Sequence, residues 1–238
     1  MVHAARTQAR WGAAVMAIAP AVMLAGFLYH PHIGNPTDAD FLTNLGAAVE
    51  THPVRWAVAH LVIAVGSGLI ILAFLALRAW LRAAHEEQWS APAVPFVVMG
   101  GVFYALLPAM EFVPLAAATS GADAAAAQGA LLTWFVPVLF AGAIIFLIGA
   151  TCFAIAVSRV AMGGRGLARV AAAGIILMAA ARLVPLNFVQ LHTQGLMGLV
   201  ALWPLAYVLW TRPEPSSPTG PRESARSMHS PGHAGAAR

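Results

Sequence analysis

The chain has 238 residues, 60% of them hydrophobic and only 9% charged, with a formal net charge of +4. A soluble domain carries about 25% charged residues, so this composition excludes a water-facing globular surface and makes lipid the solvent. The 13 basic residues are all arginine and stand in ones and twos at the ends of apolar runs. That placement excludes the nucleic-acid partner a pI near 10.2 would otherwise invite.

The first apolar run, Trp11 to Tyr29, follows Arg6 and Arg10. It has full spanning length and leads into His30-Pro31-His32 with no small-x-small cleavage site, which reads as a retained span rather than a signal peptide. Pro20 lies mid-run, where neighbouring helices compensate a kink. Residues 30–53 form the first loop. Thr37-Asp38-Ala39-Asp40 resembles a capping box, and Phe41, Leu45 and Val49 recur at helical spacing. This predicts a short amphipathic helix lying on the membrane surface. His30, His32, Asp38, Asp40, Glu50 and His52 are expected to be solvated loop residues.

The second span is predicted over Val54 to Leu81, followed by a solvated loop with Glu86 and Glu87. The third covers Val94 to Leu115, with Gly100 early and Pro108, Glu111 and Pro114 late. The fourth covers Gln128 to Val157. It contains Cys152, a packing residue that has no second cysteine for a disulfide. The fifth covers Leu167 to Leu183 with Arg182 at its end. A turn with Pro185 and Asn187 leads into the sixth, Val189 to Trp210. The tail from Thr211 is rich in Pro, Ser, Gly and Arg and is expected to be disordered.

The fold class is therefore all-α: a polytopic, six-transmembrane-helix bundle (residues 11–210) between a short N-terminus (1–10) and a tail (211–238). Eleven of the 13 arginines belong to loops or helix ends on one side, and only Arg55 and Arg182 to the other. The positive-inside rule then puts both termini in the cytoplasm, and the all-arginine, alanine-rich composition suggests a bacterial inner membrane. Trp11, Trp56, Trp80, Trp134 and Trp210 all fall near span ends and are expected at the lipid–water interface.

On this topology the ionisable residues inside the spans collect in the outer half. His60 lies about 9 Å below the outer end of its helix, and Glu111 within about one turn of its own. Arg182, Gln190 and His192 stand at the outer ends of the last two spans. Such groups face the bundle interior when they are too short to snorkel. Gly100, Tyr104, Leu107 and Glu111 share one helix face, as do His60, Ala64 and Ser67, and Gly195 and Gly198 permit close helix approach. The expectation is an outward-facing pocket lined by His60, Glu111, Arg182, Gln190 and His192. It would hold a metal at His60, Glu111 and His192 (Zn or Fe), a haem between the two imidazoles, or a small polar ligand. Two alternatives use the same residues. One is a membrane-embedded, metal-dependent hydrolase with Glu111 or His60 as base. The other is an accessory or assembly protein whose cluster is structural, with Glu111 paired to Arg182 and His60 bonded to a carbonyl. A small-solute transporter fits less well, because the inner half is nearly all apolar. The lipid bilayer is the evident partner, with a membrane protein or a second copy as further candidates.

Over Arg55-Trp56-Ala57-Val58-Ala59-His60, and more broadly residues 30–82, the chain resembles a loose group of uncharacterised bacterial six-span integral membrane proteins. The resemblance implies the topology and transfers no activity.

Overall fold

A computed structural model of the chain describes residues 2–212. All regular structure there is helical: α1 (Val2–Tyr29), α2 (Phe41–Thr51), α3 (Pro53–Ala83), α4 (Ser90–Met110), α5 (Phe112–Thr119), α6 (Ala124–Val160), α7 (Arg165–Ala180) and α8 (Asn187–Thr211). A single-turn 3-10 helix, Ala181–Leu183, follows α7. Six stretches are long and apolar enough to cross a bilayer, α4 and α5 counting together as Ser90–Thr119. Large apolar side chains such as Leu61, Val65, Ile144 and Leu177 point outward and are about half exposed. In a water-soluble protein such a belt would aggregate; here it meets lipid. The predicted disordered tail lies outside the described residues, apart from Thr211, which ends α8, and Arg212, which caps it.

The six spans form a closed ring in the order α1, α3, α4, α6, α7, α8, with each helix packed on two neighbours. Small residues allow the close approaches. A Cβ on Gly100 would stand 2.5 Å from the backbone nitrogen of Phe146, so α4 meets α6 backbone to backbone. Phe74, Phe146 and Phe153 fill the middle of the bundle, Phe74 touching the other two rings at 5.7 and 5.0 Å.

Helix lengths differ in a way that shapes the molecule. The 37 residues of α6 span about 55 Å, whereas the 16 of α7 span about 24 Å. At one end, here the cap end, α6 rises beyond α7 and carries α2 and α5 against it. Phe41, Leu45 and Val49 of α2 are buried with Trp56 and Ala124. The amphipathic helix thus buries its apolar face on the protein rather than on lipid. Its capping box is also not formed: Asp40 occupies the N-cap position but accepts from the Asn44 side chain, while Asp38 accepts from the Asn35 backbone.

Two further expectations are corrected. Trp11, Trp134 and Trp210 are exposed, as interface anchors should be, but Trp56 and Trp80 are buried. Glu86 is buried at the opposite, basal end, where its carboxylate accepts from the backbone N–H groups of Trp89 and Ser90. These are among the first, otherwise unpaired, donors of α4. Glu87 alone is solvated, and it pairs with Arg78 and Arg82 at 3.6 and 3.3 Å.

Candidate functional site

The chain breaks between α4 and α5, and the break builds the site. Pro114 has no N–H to continue the α4 ladder, and Glu111 sits at the interruption. The carbonyl of Glu111 accepts from the Trp56 indole at 2.9 Å. Its carboxylate oxygen Oε1 accepts from Gln128 Nε2 at 3.0 Å. Its other oxygen, Oε2, is buried without a partner, and so is Gln128 Oε1.

Beside Glu111 lies an aromatic cluster. The Trp56 ring stands 4.6 Å from His60 and 5.2 Å from His30, and the two imidazoles meet edge-on at 4.9 Å. His30 Nδ1 lies 2.7 Å from the Pro31 carbonyl and His60 Nδ1 lies 2.7 Å from the Trp56 carbonyl. On α8, His192 Nδ1 lies 2.7 Å from the Phe188 carbonyl, its ring stacked on Phe188 at 4.0 Å. A carbonyl oxygen only accepts, so in each neutral ring Nδ1 carries the proton and Nε2 keeps a lone pair.

These groups surround one cavity of about 410 Å³ at the cap end. It is closed above by the first loop and α2. Its sides come from α3, α4, α6 and the start of α8. Because α7 ends early, α6 and α8 face each other across the cavity, with Phe135 and Leu139 on one side and Phe188 and Leu191 on the other. Asn187 ties the α8 start to the first loop through Gly34 and Asn35.

The floor is Tyr104, seven residues or about 10 Å below Glu111 on α4. Its hydroxyl donates to Gln194 Oε1 at 2.9 Å. Beneath it Arg182 fills the axis of the ring, 2% exposed, its guanidinium between the Tyr104 ring at 3.7 Å and the Phe146 ring at 3.9 Å. Pro20, Met23, Ile70 and Met178 complete the surround, and the space about Arg182 has no room for a water molecule. Two of its nitrogens, Nε and Nη1, have no hydrogen-bond partner.

Of the five residues predicted for the pocket, His60, Glu111, Gln190 and His192 line this cavity, and Arg182 does not. The expected Glu111–Arg182 pair is absent: among the described residues the ion pairs are those of Glu87 with Arg78 and Arg82. Arg182 is too deep for Glu111 because short α7 delivers it to the level of Tyr104. The expected His60–carbonyl bond is present. The proposed metal ligands do not fit a metal. Among the described residues no three His, Cys, Asp or Glu side chains come together as a coordinating group. His60 is turned to Trp56 and His30, Glu111 to Gln128, and His192 to Phe188.

Sequence reasoning missed His30 as a site residue and Gln128 as the partner of Glu111. Each carried a signal: His30 directly follows a span that ends at the same side as His60, and Gln128 is the polar residue opening an otherwise apolar run.

His30 lies outside the spans, and its imidazole is held down to about 4 from the ordinary 6.5. Burial is the main cause and Arg55 adds to it, against the opposing Pro31 carbonyl. The folded state therefore binds the His30 proton more weakly than the unfolded chain. Between 6.5 and about 4 the unfolded state holds more protons, so this contribution to stability is complete above 6.5 and is lost as pH falls towards 4. Thermal unfolding of the detergent-solubilised protein should show a melting temperature that drops over that interval. His30→Phe should flatten the drop; an unchanged profile in the variant would assign it to other groups.

Compared with protein-family models, curated proteins and solved structures, the chain matches none.

Proposed function

We propose that this is a membrane-embedded binding protein whose cap-end cavity holds a small organic molecule. The observation that carries the reading is the pairing of a cavity of about 410 Å³ with unpartnered buried polar atoms, Glu111 Oε2 and Gln128 Oε1. Buried acceptors normally find a donor, and one left open costs about 1–3 kcal/mol. Cavities of a few hundred Å³ with apolar walls and a few converging polar groups are the usual form of a small-molecule site. The axis below is packed shut by Arg182 and the phenylalanine core, which favours a binding pocket over a conduction path. The one-sided arginine distribution supports placing the cap end on the outside of a bacterial cytoplasmic membrane, with both termini inside.

Native mass spectrometry of the full chain, released from mild detergent, tests the reading against a variant that fills the cavity, Leu132→Trp. The expected result is one equivalent of a small molecule on the native protein and none on the variant, with both melting cooperatively. A molecule retained equally by the variant would place it elsewhere. No bound molecule, together with no thermal shift from a diverse compound set, would overturn the proposal.

A further inference from the structure

Resting on that reading, we infer that the ligand is an organic cation, an ammonium group on an apolar body, seated with its head at Glu111 and Gln128. The inference comes from matching donors to acceptors around the cavity. The polar donors that line its interior are already committed to the protein. Trp56 Nε1 donates to the Glu111 carbonyl, Gln128 Nε2 to Glu111 Oε1, Asn187 Nδ2 to the Gly34 carbonyl and Gln190 Nε2 to the Arg182 carbonyl. The Tyr104 hydroxyl is spent on Gln194. Only the second protons of the amides remain, with Arg55 and His32 exposed at the rim.

The acceptors are in excess. Glu111 Oε2 and Gln128 Oε1 have no partner and are covered by their own surroundings, so a ligand meets them on a turn of these two side chains, and each of the His30, His60 and His192 rings, when neutral with Nδ1 donating to a carbonyl, keeps an Nε2 lone pair. A site with spare acceptors and few spare donors complements a donor-rich ligand and leaves a carboxylate or phosphate unsolvated. Glu111 is the one acid lining the cavity. Among the described residues no cation is paired with it, and the buried cation nearby, Arg182, lies under the floor and does not line the cavity. An ammonium supplies both the charge and the three N–H donors that Glu111 Oε2 and its neighbours lack. The remaining walls suit the rest of such a molecule: Ile63, Leu107, Leu132, Phe135 and Leu139 are apolar, and aromatic faces attract a cation as well as an apolar group.

Three probes of closely similar size test this: 2-phenylethylammonium chloride, neutral 2-phenylethanol and sodium phenylacetate. Each is titrated calorimetrically into the full-length protein in nanodiscs at neutral pH. The expected result is binding of the ammonium at least tenfold tighter than that of the alcohol, with phenylacetate weaker still. Glu111→Gln, which keeps the size and the Gln128 contact, should reduce the ammonium to the affinity of the alcohol. Equal binding of ammonium and alcohol, preference for phenylacetate, or preference for the ammonium surviving in Glu111→Gln would each overturn the inference. Should Glu111→Gln fail to fold, the order of the three probes on the native protein decides. Binding of the neutral or anionic probe leaves the cavity as a ligand site and removes only its cation selectivity. If none of the three binds, the inference falls, and the binding reading then stands or falls on the Leu132→Trp comparison.

Discussion

Trp56→Ala is expected to destabilise the protein by about 3–5 kcal/mol, the cost of removing a buried indole, and to abolish the cap-end cavity. Trp56 is 1% exposed and does four things at once. Its ring packs under α2 with Phe41, Leu45 and Val49. Its faces and edges touch His30 and His60. Its Nε1 donates to the Glu111 carbonyl at the α4–α5 break, and its own carbonyl accepts from His60. Alanine leaves the last of these and removes the rest. Trp56→Phe separates the contributions: it keeps most of the packing and leaves the Glu111 carbonyl unpaired, for about 1–2 kcal/mol. Far-ultraviolet circular dichroism during thermal unfolding in detergent orders the three proteins. If Trp56→Phe proved as damaging as Trp56→Ala, the hydrogen bond rather than the packing would hold the cap.

Arg182 should reverse the usual ranking of substitutions. Arg182→Lys is the conservative change by charge, and it is expected to be worse than Arg182→Met by about 2 kcal/mol or more. A guanidinium is flat and weakly hydrated and can lie between two rings; here Tyr104 and Phe146 take its two faces at 3.7 and 3.9 Å. An ammonium cannot be sandwiched in this way and is costly to strip of water, by several kcal/mol per buried ion. Methionine fills the same slot with no charge to desolvate and keeps contact with both rings. The gain from discarding an unpaired buried charge offsets the lost cation–π attraction, itself worth about 2 kcal/mol when desolvated. The same unfolding assay checks the order, and Arg182→Lys melting at or above Arg182→Met would reveal an anionic partner for the guanidinium.

The spans were legible because lipid imposes a length and a composition on each of them, and both are local properties of the chain. Each predicted span overlaps an observed one, with ends displaced by a few residues. The grouping of His60, Glu111, Gln190 and His192 around one cavity was readable for a related reason: topology alone places those positions at one end. Which helix stands beside which was not readable. Among apolar helices the neighbour is chosen by shape, such as Gly100 admitting the Phe146 backbone, and hydropathy does not record shape. The Glu111–Arg182 expectation failed on this point, since two opposite charges at the same nominal end differ in depth once α7 proves short. Trp56 and His30 were misplaced because the cover over them, α2, is held by contacts with α6 distant in sequence.

The early end of α7 also bears on the route by which a ligand of the proposed kind would reach the cavity. Above Leu183 no helix among the described residues fills the sector between α6 and α8, and that sector is edged by outward-facing Val136, Leu186 and Phe188. Those residues face outward at the level of the cavity. On the proposed function, a molecule entering on that side would come from the bilayer rather than from water, its apparent affinity would scale with its partition coefficient, and two ligands with equal contacts inside would differ in potency by their ratio of oil to water solubility.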